Sequence, residues 1–211
     1  MKETGAGFFW QMERVTAIAA LAAALSPGNL GHLRAMLPEV VPVPLLPVVA
    51  YEVLLQSHLF FGFAQAIEAA KVFAEVVPRE GADGSFVTAN EIGSEELQRR
   101  GQALCEQIYY PNFERLMSNL GKASPELAEW MMVDGYSKVL SRPGPTALER
   151  EIASIVFLAI SGHQVQLHSH LRGARNLGAT PDFIRSALGV GVLSREQMVA
   201  VETKVEQVFR K

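Results

Sequence analysis

The chain has 211 residues, of which 49% are hydrophobic, and 19 Lys and Arg stand against 22 Asp and Glu, for a formal net charge of −3. A chain of this length and composition can bury a sizeable core. The charge balance excludes the positive field of a nucleic-acid-binding protein, so no nucleic acid partner is expected. Cys105 is the only cysteine, which excludes an intrachain disulfide and a dithiol redox cycle.

The N-terminal segment and the most apolar segment predict a soluble, cytoplasmic protein. The first 17 residues mix charges with aromatic side chains and lack the pattern of a secretory signal. The apolar stretch 40–63 is interrupted by three prolines and by polar residues that include Glu52 and His58. It would therefore make a costly membrane span, and no membrane partner is expected.

Helix patterns fill the first half of the chain. Residues 11–25 are rich in Ala and Leu and stop at a Ser-Pro-Gly turn, and residues 30–37 predict a shorter helix. The prolines from Pro38 onward impose extended geometry until Pro47, which suits the first turn of a helix. Residues 48–77 predict two helices that break near Phe61-Gly62.

The middle of the chain contains the clearest domain boundary. Residues 78–92 lose periodicity and gather Pro, Gly, Asp and Asn, which predicts a linker. We place a partial first repeat at 1–77 and a second repeat with its leading helices at 93–211. Ser94 followed by two glutamates predicts a capped helix towards Tyr109, and residues 111–120 and 124–140 predict two more.

The last third of the chain has well-marked helix ends. Thr146 and Glu149 have the spacing of a capping box, and the helix that follows ends at Ser161-Gly162. A helix over 163–177 is closed by glycine, and Thr180-Pro181 opens the next. Ser194 with Gln197 predicts the cap of the C-terminal helix. Alternating strand patterns are absent from the sequence, so the predicted fold class is all-α.

Two stretches of the chain repeat each other. Residues 13–35 and 151–173 align without a gap, which pairs Glu13 with Glu151 and His32 with His170, 19 residues apart in both cases. A second register sets Glu13 against Glu149 with a two-residue gap. We prefer the ungapped register because it keeps apolar residues aligned. The first copy is degraded, so Glu13 and His32 are interpreted as structural.

Four motifs in the second half resemble the carboxymuconolactone decarboxylase family. They are an R-P-G turn at 142–144, an E-R-E helix start at 149–151, an H-x-R-x-A helix at 170–174 and a G-A-T-P-x-x-I opening at 178–184. The resemblance covers roughly residues 94–188. It implies an all-α helical bundle of the alkylhydroperoxidase D-like type, assembled as a trimer or hexamer. Here the bundle would be built from two partial repeats.

The family's closing motif, E-V-L-L-Q followed by aromatic-x-G, stands in the first half of this chain. It occupies 52–56 and 60–62, whereas Gly189–Val192 takes its place in the second half. We therefore hypothesise that one complete site draws on both halves. The hypothesis requires that residues near Glu52 lie close to His170.

Glu151 and His170 are the candidate catalytic residues. A carboxylate that fixes the imidazole tautomer makes a proton relay near neutral pH, and two helices joined by a tight turn bring such residues together. From spacing alone a solvated acid and a packed polar residue would be the better interpretation, but the resemblance favours catalysis. His163, Gln166, Arg172, Glu52 and His58 are the candidate substrate-binding residues.

The histidine-rich helix raises two other chemistries. His163 and Gln166 occupy positions that are the Cys-x-x-Cys in the family's peroxidase branch, and without a thiolate that route to peroxide reduction is closed. His163, His168 and His170 lack the i, i+4 spacing of a helical metal pair. We therefore predict no metal and no cofactor, although a site shared with Glu151 would need metal analysis to decide.

The predicted function is a cofactor-independent lyase or isomerase acting on a small carboxylated lactone or unsaturated acid. His170 would be the acid, and Arg172 or Arg150 could hold a substrate carboxylate. The main alternative is a non-catalytic oligomeric member that binds a small molecule or a partner. A peroxide-handling enzyme dependent on Cys105 is a third possibility.

Overall fold

The computed structural model describes residues 5–40, 47–77, 92–189 and 191–210, with side chains described from residue 12 onward. All regular structure in these residues is helical, which confirms the all-α class. The helices are α1 (Gly5–Ala24), α2 (Leu30–Val40), α3 (Pro47–Val76), α4 (Ser94–Tyr109), α5 (Phe113–Ala123), α6 (Pro125–Trp130), α7 (Ala147–Ser161), α8 (Gln164–Asn176), α9 (Pro181–Leu188) and α10 (Arg195–Phe209), with a π-helical segment (Met131–Leu140) directly after α6.

The helix ends in the last third of the chain lie where the sequence predicts them. Thr146 and Ser194 each form a complete capping box with the residue three positions on. Gly162 ends α7 in the left-handed conformation, at φ 75°, which costs glycine little. The predicted break in α3 is also present, because Gly62 adopts φ 78° and ψ 170° inside the helix.

Three helix predictions need correction. Gly93, not Ser94, is the N-cap of α4, and no side chain caps it. The single helix expected over 124–140 is α6 followed by the π-helical segment. Pro38 lies inside α2, although a proline at this position forfeits one backbone hydrogen bond. The burial of Leu33 and Leu37 holds this helix in place. The predicted linker falls almost wholly on residues 78–91, outside the described part of the chain.

The two halves of the chain share one hydrophobic core. Buried side chains of α1, α2 and α3 pack together with those of α7, α8, α9 and α10, and α1 packs mainly against α7. Every residue of α7 from Glu149 to Ala159 is buried, so α7 is the central helix. Polar side chains on α7 are therefore buried with it and need partners.

A smaller cluster joins α4 to the π-helical segment. Its buried members are Cys105, Ile108, Tyr136 and Leu140. The two helices approach so closely that a Cβ on Gly101 would lie 2.6 Å from the backbone nitrogen of Ser137. This cluster sits against α8 and forms one side of the site described below. None of the described helices has the length and apolarity that a membrane span requires.

Candidate acid-base site

Glu151 and His170 meet across the hairpin formed by α7 and α8. The imidazole Nδ1 of His170 lies 3.0 Å and 3.1 Å from the two carboxylate oxygens of Glu151. The side chains are almost fully enclosed, since Glu151 is 1% exposed and His170 is 8% exposed. A carboxylate accepts, so Nδ1 donates and Nε2 is left free for chemistry. The predicted pair is formed.

Gly173 gives the Glu151 carboxylate its space. It follows His170 by three residues on α8, and a Cβ at this position would lie 2.5 Å from Oε2 of Glu151. Any side chain here would push the carboxylate away from the imidazole or separate the two helices. The glycine in the H-x-R-G-A sequence is therefore part of the site's geometry.

Two aromatic rings enclose the imidazole. Phe60, on α3, and Tyr109, at the end of α4, both pack edge-on against His170, with ring centroids 6.2 Å and 6.4 Å away. Phe60 belongs to the E-V-L-L-Q…F-F-G segment of the first half. The requirement of the two-half hypothesis is thus met within one chain, since this segment reaches His170.

A buried group of protonated side chains lies beside the pair. Tyr136 packs edge-on against Tyr109, with ring centroids 6.2 Å apart, and shares a buried cluster with Cys105. Burial raises the pKa of Cys105 to about 12 and raises the pKa values of both tyrosines, and the nearby Glu151 carboxylate adds to all three shifts. Cys105 is therefore a thiol and a poor nucleophile at neutral pH.

Sequence reasoning did not identify Tyr109 and Tyr136 as site residues. Tyr109 follows Cys105 by four residues, on the same face of α4. That spacing marks a shared buried face, but it carries no information about the distant His170. Only the packing of α4 against α8 brings the tyrosine to the imidazole.

Glu52 is the centre of a buried ion cluster. Its carboxylate oxygens lie 2.9 Å and 3.0 Å from Nε of Arg142, and one lies 3.1 Å from Nη2 of Arg150. Arg150 also donates to the backbone oxygen of Arg142, and its pKa is lowered because the guanidinium is buried. Glu52, expected to bind substrate, joins α3 to the start of α7 through these two arginines.

The other candidate substrate-binding residues lie in different environments. His163 is the exposed N-cap of α8, and Gln166 is exposed as well. His58 is half-buried, with Nδ1 against the backbone oxygen of Leu55, and its ring stacks on Phe63 at 4.9 Å. In this chain none of the three is enclosed as the pair is.

Arg172, the remaining candidate, lines a pocket of about 340 Å³ between the end of α4, α5 and α8. The surface of the pocket is mostly apolar, and its lining residues are Ile108, Tyr109, Tyr110, Asn112, Arg115, Leu116, Asn119, Val165, Ser169, Arg172 and Asn176. Tyr109 both lines this pocket and packs against His170. One side chain thus connects the pocket to the acid-base pair.

Among the described residues, no three His, Cys, Asp or Glu side chains are grouped so that they could hold a metal ion. His168 is half-buried on α8, and its pKa is lowered by burial and by the neighbouring cations Lys204, Arg172 and Arg175.

Residues 125–200 match the model of the Carboxymuconolactone decarboxylase family. The matched segment contains Glu151, His170, Gly173 and Tyr136, whereas Phe60 and Tyr109 lie outside it. The chain is also 27% identical to Peroxisomal protein 2 of Schizosaccharomyces pombe over 157 residues. This aligned stretch covers 74% of this chain and 73% of that protein.

Proposed function

We propose that this chain is a cofactor-independent lyase or isomerase that acts on a small carboxylated lactone or a related unsaturated acid. The observation that carries the proposal is the buried Glu151 carboxylate on Nδ1 of His170. A carboxylate in this position fixes the tautomer and stabilises the imidazolium, so that Nε2 can exchange a proton with a substrate. The match of residues 125–200 to the family model supports the same class of chemistry.

In the decarboxylation of such a lactone, the bond between the ring carbon and the carboxylate breaks and carbon dioxide leaves. The bonding electrons flow into the conjugated carbonyl and form an enolate. His170 as the imidazolium would then deliver the proton to carbon from Nε2 and become neutral. The hydrogen bond from Nδ1 to the Glu151 carboxylate holds the ring in one orientation during this transfer.

The reaction is tested with purified protein and 4-carboxymuconolactone, by following loss of substrate and release of carbon dioxide. Loss of a general acid typically costs about 10²–10⁴-fold in rate, so His170→Ala and Glu151→Gln should each lower kcat within that range. His168→Gln is the matched control, because His168 lies on the same helix outside the pair. Equal turnover by wild-type protein and His170→Ala would reject the proposal.

A second candidate function is small-molecule binding without catalysis. The observation in its favour is that the 340 Å³ pocket is lined by Arg172 and Tyr109 but not by Glu151 or His170. A ligand in that pocket would contact the pair only through Tyr109. Saturable binding of a lactone by a folded wild-type protein that shows no turnover would support this function over the first.

Assembly and location belong to the same proposal. We propose a ring-like homo-oligomer, a trimer or hexamer, and exposed apolar side chains on α3, Phe63 and Ile67, support a self-association surface. Cytoplasmic location is the expectation from the sequence, whereas the relative's name assigns that protein to peroxisomes. Microscopy of the protein tagged at either end distinguishes the two compartments.

A further inference from the structure

We propose that the chain binds a single-chain amphiphile with a phosphate head, whose apolar chain lies in the pocket between α4, α5 and α8. The phosphate would lie on a basic ridge at one edge of this pocket. The ridge consists of Arg172 and Arg175 on α8 and Lys204 on α10. The proposed lyase or isomerase reaction involves no such ligand, so this site goes beyond the proposed function and does not rest on it.

The pocket has the character of a site for an apolar chain. Its surface is mostly apolar, and Ile108, Leu116 and Val165 contribute to it. No Asp or Glu is among its lining residues. Its volume of about 340 Å³ lies at the small end of ligand sites, which span about 300–1,000 Å³. The pocket therefore suits one short chain better than a lipid with two long chains.

The three cations of the basic ridge have no carboxylate partner among the described residues. Arg175 and Lys204 each hydrogen-bond to an uncharged oxygen, and Arg172 forms no hydrogen bond with another described residue. The cations lie close to one another, because all three surround His168. Burial lowers the pKa of His168, and the nearby Lys204, Arg172 and Arg175 lower it further. Like charges this close repel each other, and a bound anion would relieve the repulsion.

The pocket and the basic ridge share one edge of α8. Val165, Ser169, Arg172 and Asn176 all line the pocket, and their spacing places them on one face of the helix. Arg175 lies on the adjacent stripe, three residues after Arg172. A chain in the pocket can therefore end with its head group at Arg172, beside the other two cations.

The chemistry of the ridge favours a phosphate as the head group. A guanidinium matches a phosphate with two parallel hydrogen bonds. A phosphate monoester carries about −1.5 to −2 charges at pH 7, which is enough to interact with more than one cation. A small inorganic anion would leave the apolar pocket empty, whereas an uncharged apolar molecule would leave the ridge uncompensated. An amphiphile uses both surfaces.

The test is calorimetric titration of the full chain with octyl phosphate, with 1-octanol and with inorganic phosphate. Octyl phosphate should bind about tenfold more tightly than either of the others, or better, because it alone buries a chain and pairs with the cations. Arg172→Gln and Lys204→Gln should each raise the Kd for octyl phosphate about tenfold. Leu116→Asn, in the pocket wall, should raise it about fivefold or more.

Two control variants lie outside the pocket and the ridge. Lys122→Gln removes an exposed cation from α5, and Val199→Asn removes an exposed apolar side chain from α10. Each should leave the Kd for octyl phosphate within about twofold, because neither side chain lines the pocket. Thermal melts establish that each variant is folded.

The proposal is overturned if octyl phosphate does not bind, or if 1-octanol or inorganic phosphate binds as tightly. Equal effects of the control variants and of the pocket and ridge variants would overturn it as well. Sedimentation of the protein with phosphatidic acid vesicles, without binding of octyl phosphate, would assign the ridge to a membrane surface instead.

His170→Ala separates this site from the proposed reaction, since it should abolish most turnover while leaving the Kd for octyl phosphate within about twofold. Binding of octyl phosphate without turnover of 4-carboxymuconolactone would support the amphiphile site and reject the reaction. Turnover without binding of octyl phosphate would support the reaction and reject the amphiphile site.

Discussion

Replacement of Gly173 by alanine tests the geometry of the acid-base pair most directly. The added Cβ would lie 2.5 Å from Oε2 and 3.2 Å from Cδ of Glu151, and 2.7 Å from Cγ2 of Ile108. The carboxylate cannot move away freely, because Glu151 is 1% exposed and is bound to His170. The methyl group must therefore displace the carboxylate, or force α8 away from α7 and α4.

The expected loss of stability is the balance of three effects. Overpacking a well-packed site costs about 1–3 kcal/mol, and weakening a hydrogen bond to a charged group costs about 1.5–3 kcal/mol. Alanine recovers about 1 kcal/mol because it is the better helix former. We expect the free energy of unfolding to fall by about 1.5–5 kcal/mol for Gly173→Ala, and turnover to fall about as far as in Glu151→Gln.

Gly121→Ala on α5 is the matched control, because nothing lies within 4 Å of a Cβ at that position. This variant should gain up to about 1 kcal/mol from helix propensity alone. Urea unfolding of the wild-type protein and of the two variants gives the change in the free energy of unfolding that each substitution causes. If Gly173→Ala were as stable as Gly121→Ala and kept full activity, the close approach of α8 to Glu151 would be refuted.

Three further predictions concern the rest of the molecule. Glu52→Gln should lower the free energy of unfolding by about 3–5 kcal/mol, because it leaves Arg150 buried without its counter-charge. The control, Glu68→Gln at an exposed position, should change this free energy by less than about 0.5 kcal/mol. Equal effects of the two substitutions in urea unfolding would contradict the buried ion cluster. Burial raises the pKa of Cys105 from 9.0 to about 12, so between these pH values the unfolded chain loses the thiol proton while the folded protein keeps it. The contribution of Cys105 to the free energy of unfolding should therefore be unchanged below pH 9 and should fall between pH 9 and 12. By pH 10.5 the free energy of unfolding of the wild-type protein should have fallen by about 2 kcal/mol. Urea unfolding at pH 8 and 10.5 should show a smaller fall for Cys105→Ala. An identical fall in both proteins would show that the thiol contributes nothing. Phe63→Asp should lower the molar mass measured by light scattering, and an unchanged mass would remove α3 from the proposed interface.

Local signals in the sequence predicted much of the fold. The capping boxes at Thr146 and Ser194 and the glycine at 162 each satisfy backbone groups within one turn, so nearby residues determine them. The predicted helix at 124–140 was wrong in detail, because a change to π-helical geometry leaves little trace in apolar periodicity. The sequence predicts that Pro38 ends its helix, whereas burial of Leu33 and Leu37 keeps it inside α2.

The acid-base pair was predictable in part for the same reason. Glu151 and His170 lie on consecutive helices joined by a short turn, so a local hairpin is enough to bring them together. The motif at 52–56 predicts a substrate contact for Glu52. Its partners, Arg142 and Arg150, lie 90 and 98 positions away in the chain. No local sequence pattern specifies that pairing.

The sequence by itself determined most of the helices, the ends of α7 and the start of α10, and the carboxylate–imidazole pair, because these depend on contacts within a turn or between neighbouring helices. Only the tertiary structure decided which side chains surround the pair. Phe60 reaches His170 across 110 positions and Tyr109 across 61, and the pocket with Arg115 and Arg172 exists only where α5 meets α8. Contacts between distant segments depend on how the whole core packs, and no local pattern of residues encodes them.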